Sequence, residues 1–366
     1  MRRTAISRPD LQTPLLIAAS AIVTFVGVGA FLSPDLRVLD FYTFYADGVA
    51  WNTGTSLYQV NNLNPPTLTI TIFAPLARLP FTVAQLVWLV LSIAALCGTI
   101  RIVRRELVLS TTKLAQITAL LLTLHGSMIA TANGQLTWVL LYPVTQAWSA
   151  YRHGSMTRAG LWLAPAIAAK PPLALVALAL PWPITASAGI AAATGTVMIA
   201  VVTGLEPWIA WLDQSSKVDW LAAPANASLW GFVARWQAGG LSNGVSLSNL
   251  HPSVLLGSLL VIAGAWRIAF TEPSRDRRFF FAILWSLLAS PLGWIYYLPL
   301  SFQAAVASWP RTNLAWTACA LAMIPFGNRE TFDPWMQPCF FAVIPCAWLA
   351  WTRSQKAWSA DVTISS

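Results

Sequence analysis

Acidic side chains are scarce in this chain. Of its 366 residues only 13 are Asp or Glu, against 22 Lys or Arg, and charged residues together make up 10%. Soluble globular domains carry about 25% charged residues, so the composition excludes an ordinary soluble domain. The mean hydropathy of +0.61 and repeated apolar runs long enough to cross about 30 Å of hydrocarbon predict an all-α polytopic membrane protein.

Motifs for metal ions and nucleotides are also missing. The three histidines, His125, His153 and His251, are scattered without H-E-x-x-H or another ligand spacing, so no zinc site is expected. There is no Walker A motif and no dinucleotide fingerprint, and no Ser-His-Asp set is recognisable from spacing. These absences disfavour ATP-driven transport and chemistry on nucleotide sugars, and we expect no metal and no cofactor.

Cysteines form no C-x-x-C pair. All four lie in apolar stretches and are expected to be small buried hydrophobic side chains. They are Cys97, Cys319, Cys339 and Cys346.

The net charge of +9 does not point to nucleic acid. The basic residues cluster at the ends of apolar segments, which is typical of cytoplasmic anchors under the positive-inside rule. These clusters are Arg2-Arg3, Arg101-Arg104-Arg105, Arg275-Arg277-Arg278 and Arg353-Lys356.

Hydrophobic patterning predicts one membrane domain, residues 1–366, with about 11–12 transmembrane helices. The predicted segments are 14–32, 66–79, 81–103, 114–131, 134–150, 159–181, 183–204, 252–270, 279–292, 294–309, 312–326 and 335–352. Pro65-Pro66 opens the second segment and Pro171-Pro172 interrupts the sixth, which is tolerated where neighbouring groups satisfy the freed backbone.

The first apolar run is longer than the core of a signal peptide and ends without a clear cleavage site, so we interpret it as an uncleaved signal anchor. Loops 33–65 and 205–250 then share the outer face, and 353–366 is a cytoplasmic tail. Twelve full spans would put Arg101, Arg104, Arg105 and Lys113 outside, against the charge rule. The conflict is eased if 66–79 is a partial helix and 159–181 is two short helices folded back at Lys170-Pro171-Pro172.

Loop 205–250 is rich in tryptophan. It holds Trp208, Trp211, Trp220, Trp230 and Trp236, and tryptophan rings favour the bilayer interface. The loop is therefore predicted to form amphipathic juxtamembrane helices on the outer leaflet.

The stretch "VLDFYTFYADG" (38–48) sets aromatic rings between two carboxylates. Asp40 lies near the membrane boundary, where a carboxylate can accept a proton from an incoming hydroxyl; a solvated acid or a helix cap is the alternative. Asp47, seven residues on, shares its helical face and either orients a substrate hydroxyl or stabilises the short helix, which we favour. Asp35 is expected to be solvated. The rings are expected to dock lipid and sugar.

Two cations are candidates for holding an anion. Lys170 lies inside an apolar run, where a charge costs about 2.5–3.5 kcal/mol on insertion scales, so it faces a cavity or anion unless it snorkels to an interface. Arg235, in "NASLWGFVARW", has the fork geometry that suits phosphate, or else anchors the chain to lipid head groups.

Polar and aromatic residues at two helix breaks are further candidates. "TANGQLTW" places Asn133 and Gln135 at a turn, where amides bind sugar hydroxyls or Asn-Gly forms the turn itself. "SPLGWIYYLP" places Trp294, Tyr296 and Tyr297 at a break, where rings stack on sugars or form an aromatic belt.

In this order, the motifs resemble those of the GT-C-fold glycosyltransferases of family GT87 (DUF2029), which includes mycobacterial mannosyltransferases that use polyprenyl-phosphate mannose. "LDFYTFYADGVAWNTGTSLYQV" resembles the family pattern D-F-x-x-Y-Y … G-x-x-L-Y, and "NPPTLTITIFAPLARLP" resembles Y-P-P-F … A-P-L … L-P, with Asn64 in place of the tyrosine. "NGQLTW", "AGLWLAPAIAAKPP", "NASLWGFVARW" and "SPLGWIYYLP" follow.

The resemblance implies an inverting transfer of a hexose, with mannose favoured, from a polyprenyl-phosphate sugar to a hydroxyl of a lipid or glycan acceptor at the outer face of the plasma membrane. It implies Asp40 as general base and a GT-C-type bundle. Lys170 and Arg235 would hold the leaving phosphate. Asn133, Gln135, Asn226, Trp294, Tyr296, Tyr297 and Asp47 complete the predicted substrate-binding set.

Two other functions stay open at this point. A lipid or small-molecule transporter would show paired intramembrane charges and inverted repeats, whereas this chain has one such lysine and no visible repeat. Another lipid-linked oligosaccharide transferase or ligase would rely on outer-loop arginines and histidines, and Arg235 is almost alone in its loop.

Overall fold

A computed structural model describes residues 12–33, 40–58, 63–223, 226–240 and 244–308. Within these ranges the chain forms helices and turns and no strands, which confirms the all-α prediction. Several predictions fall outside the described residues. They concern segments 312–326 and 335–352, the tail 353–366, Asp35, and the cysteines at 319, 339 and 346.

Fifteen helices follow one another along the described ranges. They are α1 (Gln12–Leu32), α2 (Asp40–Thr53), α3 (Pro66–Leu76), α4 (Phe81–Leu107), α5 (Thr111–Thr123), α6 (His125–Ala132), α7 (Thr137–Arg152), α8 (Met156–Ala169), α9 (Ala174–Leu178), α10 (Trp182–Thr203), α11 (Glu206–Ser216), α12 (Leu229–Ala238), α13 (Pro252–Thr271), α14 (Arg275–Ala289) and α15 (Phe302–Ser308). Three 3₁₀ turns join them, at Pro171–Leu173, Leu247–Asn249 and Ile295–Ser301.

Four of these helices, α1, α4, α10 and α13, are long and apolar enough to cross a membrane, and the bent pair α5–α6 adds a fifth if it is one span. Their outward faces are apolar, as at Val202 and Leu260, and such surfaces are stable only against lipid. The chain is therefore a polytopic membrane protein. The other predicted segments in the described ranges form shorter or broken helices, and the count of 11–12 spans stays a prediction.

Two predicted segments are broken where proline removes a backbone N–H. In α3 the residues Thr69–Phe73 form a π-helical turn just before Pro75, as expected where a proline cannot bond to the preceding turn. In the sixth segment α8 ends at Ala169, and Pro171–Leu173 form a 3₁₀ turn before α9. The short α3 agrees with the version of the topology in which 66–79 is a partial helix.

Charged residues of α4, α7 and α14 meet at one end of the bundle. At the end of α4, Glu106 accepts hydrogen bonds from Arg105 (2.9 Å) and from Ser149 near the end of α7 (2.8 Å). At the start of α14, Asp276 accepts one from Trp148 (2.9 Å) and pairs with Arg152 (3.5 Å). The basic end of α4 thus lies at the opposite end of that helix from Phe81, which contacts the aromatic residues of α2.

Aromatic side chains of α2 form part of the core. Phe41 lies among Phe31, Phe73 and Trp88, with ring centroids 5.5–6.1 Å away, and Phe44 stacks near Phe73 at 5.0 Å. The expectation that these rings dock lipid and sugar is therefore wrong for Phe41 and Phe44. Residues three apart share a helical face, and this face is turned into the bundle.

A second correction concerns Cys97, which is exposed rather than buried. It lies on α4, whose neighbouring positions Val90 and Ile93 are also exposed. A small apolar side chain is as stable against lipid as in a protein core, so composition does not distinguish the two.

Loop 205–250 divides into two kinds of helix. In α11 no residue is buried, and Ile209 and Leu212 are exposed, as predicted for a juxtamembrane helix. Helix α12 instead buries Trp230 and Val233 in a separate apolar cluster with Leu288. The chain just before α3 contacts this region, since the Trp211 indole donates a hydrogen bond to the Leu63 carbonyl at 3.1 Å.

Gly48 allows α2 to approach α3. A Cβ at this position would lie 2.2 Å from the Phe73 carbonyl oxygen, so backbone would have to move. Replacing Gly48 with Ala is expected to destabilise the fold by about 1–3 kcal/mol, as overpacking does, and to lower the midpoint of thermal unfolding in detergent. Gly29→Ala is the matched control, because nothing lies within 4 Å of its added Cβ; equal midpoints for the two variants would contradict this account.

Candidate functional site

Asp40 is the first residue of α2. The next residue, Phe41, donates its backbone N–H to the Asn133 carbonyl at 3.0 Å, and its ring is buried in the core. These contacts hold the start of α2 against the turn between α6 and α7. The negative carboxylate at a helix N-terminus is also favoured by the helix dipole.

The turn Asn133–Gly134–Gln135 presents two amides to Asp40. The Gln135 amide donates a hydrogen bond to the Asp40 carboxylate, and the Asn133 side chain also hydrogen-bonds to it. Gly134 makes the turn possible, since it adopts φ +62° beside the Phe31 and Phe41 side chains. Its carbonyl accepts a hydrogen bond from the Trp88 indole at 2.9 Å. The side-chain amides of Asn133 and Gln135 thus bind the Asp40 carboxylate. Their contact with a sugar stays a prediction.

The side-chain oxygen of Gln135 is available to a ligand. The residue is buried, and its side-chain oxygen has no hydrogen-bond partner among the described residues. A buried acceptor without a partner is rare in folded proteins. This oxygen can therefore accept a hydrogen bond from a substrate hydroxyl.

Lys170 lies at the break between α8 and the Pro171–Leu173 turn. Its Nζ sits over the Tyr297 ring, 5.1 Å from the centroid, and its charge attracts the Asp40 carboxylate. The break is tied to α3, because the Thr67 hydroxyl donates to the Ala168 carbonyl at 2.6 Å. An ammonium held by a ring and a nearby carboxylate can still bind an anion.

Tyr296 and Tyr297 lie on the 3₁₀ turn Ile295–Ser301, and both are buried. The Thr137 hydroxyl donates to the Tyr296 carbonyl at 2.7 Å, and the Tyr296 side chain lies close to Gln135 and Asp40. Trp294 stacks on Tyr296 with centroids 5.8 Å apart and planes at 16°.

Six of the predicted residues therefore meet in one cluster, although up to 257 positions separate them along the chain. They are Asp40, Asn133, Gln135, Lys170, Tyr296 and Tyr297. Trp294 extends the cluster through its stack on Tyr296. We refer to these seven residues as the Asp40 cluster.

Burial raises the pKa of Asp40 above that of an ordinary aspartate, and Lys170 together with the two amides opposes this rise. A carboxylate with a raised pKa is a stronger base than one in water, and catalytic acids and bases are tuned in this way. The electrostatics of Asp40 suit proton abstraction.

Asn226 and Arg235 lie in the loop that packs beside this cluster. Asn226 pairs with Trp294 as an isolated bridge. Its amide nitrogen donates to the Leu221 and Pro291 carbonyls, both at 2.9 Å, and its oxygen accepts the Ser228 N–H. These bonds fasten the loop to the chain after α14. The structure gives Asn226 a structural role, and its contact with substrate stays a prediction.

Arg235 is buried, and its guanidinium donates to the Ala223 carbonyl at 2.9 Å. Burial lowers its pKa to about 10, so the side chain remains charged at neutral pH. Among the described residues it pairs with no carboxylate. Direct contact between Arg235 and the Asp40 cluster is not among the interactions described, so its role at phosphate stays a prediction.

Asp47 connects α2 to the residues just before α3. It is buried, and it accepts a hydrogen bond from the Asn64 amide at 2.7 Å. Tyr58 in turn donates to the Asn64 carbonyl at 3.0 Å. The residue that departs from the family pattern, Asn64, thus binds Asp47. This agrees with the stabilising role favoured above, and an orienting role toward substrate is untested.

A small cavity of about 10 Å³ lies beside Lys170, which is room for a single water molecule. Tyr297 and Pro172 line it together with Ser286 and Ser290 from the end of α14. Sequence reasoning does not single out Ser290. Its signal is weak, namely a serine directly before proline at the start of "SPLGWIYYLP". Within the described ranges no group of three His, Cys, Asp or Glu side chains could hold a metal ion.

Comparison with known proteins identifies the family to which the chain belongs. The model of glycosyltransferase family 87 matches residues 62–292, which is more than half of the chain. The matched range includes Asn133, Gln135 and Lys170 of the Asp40 cluster. Asp40 lies before it, and Trp294, Tyr296 and Tyr297 lie after it. No curated protein and no solved structure matches the chain. On the family match and the membrane helices together, this chain is a membrane glycosyltransferase that belongs to glycosyltransferase family 87.

Proposed function

We propose that the protein transfers a hexose from a polyprenyl-phosphate sugar to a hydroxyl of a lipid or glycan acceptor, with inversion at the anomeric carbon. The observation that carries the proposal is the meeting of Asp40 and Lys170 in one cluster. Such a transfer needs a base for the acceptor and a cation for the leaving phosphate, and these two groups supply both.

The reaction is a single displacement. The acceptor oxygen attacks the anomeric carbon while Asp40 takes its proton, with its carboxylate oriented by the Gln135 amide. The bond from the anomeric carbon to the phosphate oxygen breaks, and the electron pair leaves with polyprenyl phosphate. Lys170 stabilises the negative charge of the leaving group, as cations do in phosphoryl chemistry.

Inversion is supported by the spacing of the carboxylates. Retaining transfer through a covalent intermediate uses two carboxyl groups about 5–5.5 Å apart. Asp47 lies seven residues along α2 from Asp40, a rise of about 10 Å, and is engaged by Asn64. Attack by the acceptor itself, on the face opposite the phosphate, fits this arrangement.

The charge distribution supports an active site on the extracytoplasmic face of the plasma membrane. Arg105 and Arg152 cluster at the end of the bundle opposite to Asp40, and basic ends favour the cytoplasm. Mannose is proposed as the sugar on the family resemblance alone.

Asp40→Asn is expected to reduce transfer by about 10²–10⁴-fold, the usual contribution of a general base. The measurement uses purified protein in nanodiscs, radiolabelled polyprenyl-phosphate mannose as donor and a membrane lipid extract as acceptor. Asp213→Asn is the matched control, because Asp213 is exposed and pairs with Lys217 on α11, and it should stay within twofold of wild type.

Transfer at the wild-type rate by Asp40→Asn would remove Asp40 from its role. If mannose is not transferred, the same assay with polyprenyl-phosphate glucose and arabinose decides the donor. If none of the three sugars is transferred, the proposal of a polyprenyl-phosphate donor is overturned, while membership of the family stands.

The acid limb of kcat/KM is expected to lie above the ordinary aspartate pKa of about 3.9, because burial raises the pKa of Asp40 and only its deprotonated form accepts a proton. Lys170 lowers this pKa, so Lys170→Met should move the limb to higher pH. Lys170→Arg keeps the charge and should leave the limb near its wild-type position. The measurement is a pH profile of kcat/KM for the three proteins; an unmoved limb in Lys170→Met would contradict the coupling.

A further inference from the structure

A row of aromatic rings leads out of the Asp40 cluster into loop 205–250. Tyr297 contacts Tyr296 with ring centroids 5.0 Å apart, and Tyr296 stacks on Trp294 at 5.8 Å. The row continues to Trp220, whose ring centroid lies 6.5 Å from that of Trp294. Both tyrosines are buried, whereas Trp294 and Trp220 are partly exposed. The tryptophan end of the row is therefore the end that a ligand can reach.

Backbone contacts fix both tryptophans in place. Trp220 forms a bridge with Val245, and the next residue, Leu221, donates its N–H to the Val245 carbonyl at 3.1 Å. Trp294 forms a bridge with Asn226. Because the backbone is held at both positions, the two rings lose little further freedom when a ligand binds, which favours affinity.

The indole N–H groups of this pair are available to a ligand. In the same loop, the indoles of Trp211 and Trp230 donate to backbone carbonyls at 3.1 and 2.9 Å. No such bond from Trp220 or Trp294 is present within the described part of the chain. An indole of this kind suits a sugar, because its apolar face packs against the C–H groups of the sugar ring while its N–H donates to a hydroxyl.

The other end of the row carries a charge. The Lys170 ammonium sits over the Tyr297 ring, 5.1 Å from its centroid, and the proposed reaction places the leaving phosphate beside this ammonium. Asp40 lies near the middle of the row, close to Tyr296. In an inverting displacement the acceptor attacks the sugar from the face opposite to the leaving group. The acceptor then lies on the tryptophan side of Asp40.

We propose that Trp220 and Trp294 form a platform for a sugar ring of the acceptor, with Trp220 as the outer residue that determines acceptor specificity. The acceptor is then a glycan or glycolipid that already carries a sugar, rather than a simple lipid alcohol. A hydrocarbon chain offers no acceptor atoms to the two indole N–H groups, whereas a sugar does. The proposal rests on the proposed function for the side from which the acceptor enters.

Native mass spectrometry of the protein in phosphatidylcholine nanodiscs tests the platform without catalysis. The nanodiscs contain mannosyl-diacylglycerol, glucosyl-diacylglycerol or diacylglycerol at increasing mole fraction, and the lipid-bound fraction of the protein is recorded. Trp220→Ala should weaken binding of the preferred glycolipid by about tenfold, since it removes a ring contact and a hydrogen bond. Its binding of diacylglycerol should stay within about twofold of wild type, and Trp220→Phe should bind the glycolipid more tightly than Trp220→Ala because it keeps a ring.

Trp182→Ala is the matched control. Trp182 is 75% exposed and begins α10, and the 22 residues of that helix, about 33 Å in length, separate it from the start of loop 205–250. Its binding of all three lipids should match wild type. Equal glycolipid binding by wild type and Trp220→Ala, with matching thermal unfolding midpoints, would overturn the proposal. An equal loss of glycolipid and diacylglycerol binding in Trp220→Ala would also overturn it, since the ring would then contact lipid chains.

The transfer assay distinguishes this proposal from the proposed function. Trp220→Ala should raise the KM for a glycolipid acceptor by about tenfold and leave kcat and the KM for the donor near their wild-type values, because the ring lies away from the reacting atoms. If transfer depends on Asp40 and the acceptor KM does not change, the platform is wrong and the function stands. If glycolipid binding depends on Trp220 while wild type transfers no sugar, the platform stands and the proposed reaction is wrong.

Discussion

The hydrogen bond from Gln135 to Asp40 joins two parts of the chain that are 95 residues apart. It connects the start of α2 to the turn between two core helices, and the backbone bond from Phe41 to Asn133 reinforces it. Because the Asp40 carboxylate is partly removed from water, these amides replace the hydrogen bonds that water would make. The same contacts that stabilise the charged form thus also fix the position of the carboxylate.

Broken helices supply the remaining polar groups. An unbroken helix inside a membrane satisfies its own backbone and presents mostly apolar side chains. The break at Lys170 and the 3₁₀ turn at Ile295–Ser301 depart from this rule, and they bring a cation and two tyrosines beside the carboxylate. The polar groups of the Asp40 cluster are therefore concentrated where the regular helices stop.

Prediction from sequence was accurate where local physics dominates. Long apolar runs gave α1, α4, α10 and α13 nearly within their predicted limits, because the bilayer thickness sets their length. Prediction was less accurate for the burial of single side chains, which depends on neighbouring helices. Phe41 and Phe44 are buried in the core, and Cys97 is exposed. Helical periodicity says which residues share a face, but not whether lipid, substrate or protein covers that face.

The sequence by itself determined the all-α membrane class, the break at Lys170-Pro171-Pro172 and the residue types available for catalysis, since hydrophobic length and missing proline N–H groups act over a few residues. Only the tertiary structure decided that Asp40, Gln135, Lys170 and Tyr297 meet and that Asn226 fastens a loop. It also decided that, within the described part of the chain, the Ser286 hydroxyl has a hydrogen-bond partner and the Ser290 hydroxyl has none. These outcomes depend on packing between distant segments, which local propensity does not encode.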